Sequence, residues 1–448
     1  MKKTICLLLS FLMLISFTAC GEDSTNKDAQ TSLEQTAQSD VSKEDISTSS
    51  KKKTSSKKKT SSKKTSSKKA SSKAETSSRE SSKPEAESRP ISITKSNQRF
   101  FKKVGSWIVS VNGSQGLALN WTCSTVEFSI NCVGDLGLDF IKSGSSEVAY
   151  LKIYVDGNLI EEQTNIQGSG MLIVARNLAA GVHNVKIVRS SDVDCGALTL
   201  TRISPGELVE LSATQSNPLY IEAIGDASFI GWGSKLSDGF YGGMGTTEWT
   251  TIRQPIARNK ENQDGTVVYP YVAAQSLGAD VYMVARQGAG IAATYHKDGG
   301  FCSPERGLLP TVYKNTSIMS RYGTDRVPDI FVIDAGSADV DSSLQKVVKD
   351  GDKIGIDTER AKEISVEFLN SLKEINPNAK IIWCYGFTKY RDDIEEYITD
   401  IAKLAGGEEK GIYTLKLTKA VRGDYASALE HKVAAEELVN KIRQITAQ

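Results

Sequence analysis

Between about Arg99 and Arg202 apolar and polar residues alternate with period two, and the stretch VEFSINC puts Val126, Phe128, Ile130 and Cys132 on one face. The segment YLKIYVDGNLIEE predicts a hairpin whose turn, Asp156-Gly157 or Gly157-Asn158, supplies positive backbone angles. GVHNVKIVRS and GALTLTRI continue the series, with turn residues between them. Several short strands without a helical stretch predict a β-sandwich of jelly-roll type over residues 95–208. His183, close to Gly181 in a turn that enters a strand, reads as a surface or hydrogen-bonded histidine.

After Pro205 the pattern changes to alternating strands and helices. Apolar runs predict strands at 220–225, 281–285, 329–335, 380–385 and 412–417, and helices at about 270–278, 357–374, 391–404 and 427–446. In the last of these Leu429, Val433, Leu438, Ile442 and Ile445 recur at spacings of four, five, four and three, read as one apolar face. Such alternation implies an α/β three-layer domain, here over 215–448, with a parallel sheet covered on both faces. Ligands of these sheets bind beyond the carboxyl ends of the strands, so the strand exits are where chemistry is to be sought.

From Gly21 to about Pro90 there is almost nothing to bury. Met1-Lys2-Lys3 and a 13-residue apolar run from Ile5 to Phe17 have the layout of a secretory signal over 1–19 and are too short for a stable span. The following FTAC resembles a bacterial lipobox, which implies lipid attachment at Cys20, with Phe17 where the usual leucine stands. Residues 20–94 read as a disordered tether, in which KKKTSSKKKTSSKKTSSKKASSK places 11 lysines between Lys51 and Lys73 with no acid among them. Contact between this run and anionic cell-wall polymers is a further expectation. Residues 1–94 hold 18 basic and 11 acidic side chains, a balance of +7, whereas the remainder holds 37 and 43, a balance of −6. An acidic folded part behind an exported anchor argues against a nucleic-acid partner. The expected place is outside the cell, lipid-anchored to the bacterial membrane. Cys123, Cys132, Cys195, Cys302 and Cys384 form neither a disulfide framework nor a CxxC pair, and are expected to be mostly buried thiols. No metal and no cofactor is implied.

The strand exits carry four short blocks. The first strand leaves into Gly225-Asp226-Ala227-Ser228, the second into Arg286-Gln287-Gly288, the third into Gly336-Ser337-Ala338-Asp339, and RGDYAS with Asp424-Tyr425-Ala426 precedes the last helix. In this order they resemble the blocks of SGNH hydrolases: Gly-Asp-Ser, a lone Gly, Gly-x-Asn-Asp and Asp-x-x-His. With a β-sandwich ahead, YPYVAAQSLGADVYMVAR before the second block and IIWCYG at the fourth strand, residues from about 98 to 448 look like family-2 carbohydrate esterases. Members of that family remove acetyl groups from polysaccharides such as xylan and glucomannan.

Position by position, the resemblance implies a site without its chemistry. Ala227 stands where the family has the nucleophilic serine, Ala338 where it has the oxyanion-hole asparagine, and Ala426 or a one-residue gap where it has the histidine base. Gly288, Asp226 and Asp424 match, and His431 lies inside the last helix, where the family often has a non-catalytic histidine. Acyl transfer needs a nucleophile, a base in reach of it and donors aimed at the oxyanion. The expected protein is therefore a polysaccharide-binding or scaffolding pseudoenzyme, with glycan stacking on Trp232, Trp249 and Tyr385. The alternatives are an acetyl esterase that works through Ser228 in a rearranged site, and a docking surface for other cell-surface proteins.

Overall fold

The computed structural model describes residues 90–448, apart from 211–216, 238–239, 241–251, 297–300, 304–307, 309–325, 345–346, 350–351, 355–357, 389–391, 422 and 448. The signal, Cys20 and nearly all of the tether lie outside the described residues, as does Trp249.

The period-two half folds as one curled antiparallel sheet of eleven strands among the described residues. Its main strands are β1 (Phe101–Val104), β2 (Ile108–Val111), β3 (Ser114–Ala118), β4 (Thr125–Ser143), β5 (Ala149–Val155), β6 (Gly170–Arg189) and β7 (Ala197–Ser204). They run in the order β2-β3-β7-β4-β6-β5, with β1 also paired to β4. β4 and β6 lie side by side over nearly their whole length, with register shifts near Gly134 and Leu136. Gly134 and Asn177 take positive φ values of 85° and 54° where the ribbon bends. The sheet thereby closes its apolar face onto itself: Val126, Phe128 and Ile130 at one end of β4 and Leu136, Leu138 and Phe140 at the other share one core with Ile153, Ile187 and Leu200. The short separate strands read from the sequence are thus partly halves of two long, bent ones, and the layers are continuous through them. Cys123, Cys132, Cys195 and Cys384 are buried free thiols; the side chain of Cys302 lies outside the described residues.

The hairpin turn is Asp156-Gly157, at φ 51° and 78°. His183 on β6 is held against it, with Nδ1 2.7 Å from Asp156 Oδ2 and Nε2 2.9 Å from the Ala179 carbonyl oxygen. Both ring nitrogens face acceptors, which an imidazole satisfies only with a proton on each. The bond to Asp156, reinforced by the Ala179 carbonyl, holds the His183 pKa above its ordinary value.

The second half builds a five-stranded sheet of β8 (Tyr220–Gly225), β9 (Asp280–Ala285), β10 (Ile330–Asp334), β11 (Lys380–Tyr385) and β12 (Ile412–Lys416). All neighbours are parallel, in the order β9-β8-β10-β11-β12. Strand positions agree with the apolar runs to within one residue at either end. The order reverses direction after β9, which puts the topological switch point at the exits of β8 and β10. The helices are α1 (Ala227–Ile230), α2 (Tyr269–Leu277), α3 (Ser337–Leu344), α4 (Thr358–Ile375), α5 (Asp392–Leu404) and α6 (Ala428–Thr446), with a further short turn at Gln254–Ala257. α2 and α6 cover one face of the sheet, α4 and α5 the other.

α6 starts at a capping box, in which Ser427 and Glu430 satisfy each other's backbone N–H. Its buried face is His431, Ala434, Ala435, Leu438, Val439, Ile442 and Ile445, whereas Leu429 and Val433 are 59% and 43% exposed. The five-residue step from Val433 to Leu438 advances about 140° beyond a full turn, so the first two leucine-valine positions belong to another face. His431 is 2% exposed and its Nδ1 accepts the Tyr269 N–H at 3.3 Å. Its ring lies beside Phe387 and Tyr269, and burial pushes its pKa down to about 3.

The two halves meet along β9, which would otherwise be an open sheet edge. Met283 N–H donates to the Thr122 carbonyl at 3.1 Å, and Lys102 Nζ lies 2.8 Å from Asp280 Oδ1. Asp280 also takes Arg326 at 2.7 Å, so its buried carboxylate is paired on both oxygens. Gly105, at φ 59°, lies against the Tyr282 ring, where a Cβ would come within 2.4 Å of Cδ2.

The two histidines give opposite pH dependences. His183, raised in the fold, stabilises fully below the unfolded value of about 6.5, and this contribution is lost as pH rises through its folded pKa. In His183→Gln the fall of the thermal midpoint on going from pH 6 to 9 is expected to be smaller than in the unaltered chain. His431, lowered in the fold, costs nothing above about 6.5 and destabilises as pH falls toward 3, by about 1.4 kcal/mol per pH unit. His431→Gln is expected to flatten the stability profile between pH 6.5 and 4, measured by urea unfolding.

Candidate functional site

The exits of β8 and β10 are tied by crossed Asp–Ser hydrogen bonds. Asp226 follows β8 and caps α1, its Oδ1 accepting the Ser228 N–H at 3.1 Å. Its Oδ2 accepts a long bond of 3.4 Å from Ser337 Oγ at the start of α3. In the other direction Ser228 Oγ donates to Asp334 Oδ2, at the end of β10, at 3.0 Å. Tyr269 Oη donates to the same oxygen at 3.0 Å. The register places Asp334 opposite Gly225, so both carboxylates leave adjacent strands at one level. Beside them is a crevice of about 20 Å³, lined by Asp226, Asp334, Ser337, Cys384, Tyr385 and Thr388 among others. It has room for about one water molecule.

Ala227, which the resemblance aligns with a nucleophile, is 4% exposed and Ser228 only 2%. The buried Ser228 gives its hydroxyl to the half-buried Asp334 carboxylate. Gly288 takes a left-handed φ of 66° and lies half-buried. Ala338 is 5% exposed, and Asp339 beside it is fully buried. The Asp339 carboxylate accepts the Ile291 N–H on Oδ2 and the Ala292 and Ala293 N–H groups on Oδ1, each at 2.8 Å. Burial pushes its pKa up to about 7, against the opposing pull of the three amides. Its role is to clasp the loop after β9, where a Cβ on Gly290 would lie 2.6 Å from Asp339 Oδ1.

The fourth block is packed shut. Tyr425 stacks on Trp232 with centroids 5.9 Å apart and rings inclined by 15°. Its oxygen accepts from Arg258 Nε at 2.6 Å and Gln254 Nε2 at 3.1 Å, and Arg258 also lies over the Trp232 ring. Ala426 is 2% exposed. The backbone of Asp424 is in the short turn Gly423–Tyr425, and its side chain lies outside the described residues. The sequence holds three histidines. His183 is clamped in the curled sheet and His431 is buried and neutral. His296 is at the end of a short strand opposite Phe301, its side chain outside the described residues. Among the described side chains no imidazole is bonded to a hydroxyl.

The aromatic expectations change with burial. Trp232 is 4% exposed with Tyr425 on its ring, which makes it packing in this structure and not an open platform. Tyr385 is 7% exposed and donates to Glu395 Oε1 at 3.1 Å. The sequence pattern passed over Asp334 and Tyr269, which the fold brings to Ser228. The signals were an acid closing the apolar run IFVID and a tyrosine opening the second helix in YPY.

The chain matches no protein-family model and no curated protein. Solved structures do match. The acetyl xylan esterase Est2A from the rumen bacterium Butyrivibrio proteoclasticus superposes with a TM-score of 0.61 at 19% identity, over 80% of this chain and 99% of its own. A family-two carbohydrate esterase from Clostridium thermocellum, in complex with cellohexaose, gives 0.58 at 17% identity over 78% and 99%. A carbohydrate esterase whose active site is described as displaying divergent catalytic and non-catalytic binding functions gives 0.55 at 14% over 77% and 97%. The chain thus has the fold of family-2 carbohydrate esterases, a curled antiparallel sheet followed by a parallel α/β domain.

Proposed function

We propose that this protein is exported, lipid-anchored through Cys20, and holds polysaccharide at the outer surface through an esterase-fold module that performs no acyl transfer. The observation that carries the reading is the first strand exit: a methyl group at Ala227, and beside it a serine hydroxyl already given to Asp334. A nucleophilic serine needs a base that accepts its proton and a path to the substrate carbonyl. Ser228 is itself buried and gives its hydroxyl to the half-buried Asp334 carboxylate, and a carboxylate is far too weak a base at neutral pH to activate it. In a serine protease loss of the nucleophile alone costs about 10⁶ in turnover. The missing asparagine donor at Ala338 would remove roughly a further 10²–10³.

The glycan part of the reading is supported by the fold shared with a cellohexaose-bound esterase and with one whose active site displays divergent catalytic and non-catalytic binding functions. The anchor and lysine-rich tether would hold such a module away from the membrane surface, and the tether's charge suits contact with anionic wall polymer.

The full chain is expected to release no acetate above background from acetylated xylan or an aryl acetate. Ser228→Ala should leave that result unchanged and lower unfolding stability by about 1.5–3 kcal/mol, the range for a hydrogen bond to a charged partner. Acetate release that disappears in Ser228→Ala would establish an esterase in its place. Retarded migration in gels that contain xylan, glucomannan or a soluble cellulose derivative is expected; migration unaffected by all of them would leave a protein-docking role.

A further inference from the structure

The seam between the two halves holds another cavity, of about 60 Å³, at the end of the parallel sheet opposite the strand exits. Its walls include Glu127 and Lys186 of the curled sheet, Tyr271 and Gln275 of α2, Asn217, and Asp280 at the start of β9. The length of β9, about 20 Å, separates it from the exits, and it shares no residue with the crevice beside Asp226 and Asp334. At about 10–15 Å³ for each water it has room for several water molecules.

Cross-strand register builds the curled-sheet wall. Lys102 on β1 lies opposite Glu127 on β4, Glu127 opposite Lys186 on β6, and Lys186 opposite Tyr154 on β5, so one row across four strands carries an acid between two lysines. Lys102 is drawn off to Asp280, whose carboxylate also takes the Asn217 amide at 3.0 Å and Arg326 at 2.7 Å. Glu127 is left 3.7 Å from Lys102 and 3.6 Å from Lys186, too far for a hydrogen bond to either. On the α2 side, Tyr271 is 8% exposed and its hydroxyl has no hydrogen-bond partner among the described residues, nor has the amide of the exposed Gln275. Burial holds the Tyr271 pKa well above its ordinary value, so this hydroxyl keeps its proton.

The mixture of groups selects the ligand. An anion would meet the Glu127 carboxylate, and a cation would meet Lys102 and Lys186. A hydroxyl group both donates and accepts, so it serves a carboxylate and an ammonium 3.6 Å apart, and it leaves a neighbouring hydroxyl for the phenol or the amide. We infer that this cavity binds the edge of a neutral sugar ring, whose vicinal hydroxyls bridge Glu127 and Lys186 and engage Tyr271 and Gln275. Sugar hydroxyls replace bound water at such groups with little loss, because they make the same hydrogen bonds. The volume admits one ring edge and not a chain. The site does not depend on the polysaccharide-holding reading, which gel retardation tests by itself.

The test is titration of the full chain with xylose, glucose and mannose, followed by calorimetry and by the side-chain amide signal of Gln275. Saturable binding of at least one sugar is expected, with a shift of the Gln275 signal, a readout that needs no variant to fold. Lys186→Met and Glu127→Met are each expected to weaken binding about tenfold, ~1.4 kcal/mol, and Tyr271→Phe to weaken it by a smaller factor. Retardation in xylan gels is expected to persist in Lys186→Met while its monosaccharide binding falls. No saturable binding of any of the three sugars, binding that leaves the Gln275 signal in place, or binding undiminished in both methionine variants would overturn the site. Tighter binding of acetate or phosphate than of the sugars would make it an anion pocket and overturn its assignment to a neutral ring.

Discussion

The Asp334 carboxylate is the point on which the strand-exit face turns. A half-buried carboxylate at the end of a central strand has to be supplied with donors, and here Ser228 and Tyr269 both give their hydroxyl protons to one oxygen at 3.0 Å. The Ser228 bond joins β8 to β10 across the switch point. The Tyr269 bond fixes the start of α2, and the Tyr269 amide passes the constraint on to His431 in α6. The sheet and the helical layer on one of its faces are therefore registered around one acid. The same arrangement buries the Ser228 hydroxyl beside Ala227 and gives its proton to Asp334, so the bond that orders the strand exits also occupies that hydroxyl.

The antiparallel half is part of the same construction. β9 is the edge of the parallel sheet, and an uncovered edge strand invites pairing with other chains. Thr122, Lys102 and Gly105 close it through a backbone bond, an ion pair and a close ring contact. Lys152 with Asp264 at 2.7 Å and Lys260 with Asp192 at 2.6 Å add two more largely buried pairs between the halves. Removing one partner of such a pair strands a charge in the interior, which costs more than the intact pair contributes. These contacts fix how the two halves sit.

Element type and position in the α/β half were legible because fully buried parallel strands read as continuous apolar runs, and IFVI and KIIWCY have no competing interpretation. The curled sheet was legible as β but not as long strands, since a bend at Gly134 or Asn177 looks like a turn between two strands until pairing partners are known. What a linear pattern does not carry is side-chain direction at a strand exit. Trp232 reads as a platform because it stands in a glycine-rich loop; it is buried because Tyr425, almost two hundred residues later, comes to lie on its ring. Ser228 reads as a candidate nucleophile until Asp334 is seen to take its proton donor. The face that Leu429 and Val433 present was misread for a simpler reason, the accumulated rotation of a five-residue step.

The positions that match the esterase blocks divide by the work they do. Asp226 caps α1, Gly288 takes a backbone angle in the left-handed region that favours glycine, and Asp339 satisfies three buried amides. Each of these residues is required by the fold, and replacing any of them would leave backbone groups unmet or strained. Ala227, Ala338 and Ala426 stand where the resemblance places nucleophile, oxyanion donor and base, and the side chain of each is a buried methyl group. A buried serine, asparagine or histidine without a substrate to engage would have to find a hydrogen bond inside the protein or pay a desolvation cost of roughly 1–3 kcal/mol. Alanine avoids that cost. Packing alone thus accounts for alanine at these three buried positions, as hydrogen bonding within the fold accounts for Asp226 and Asp339.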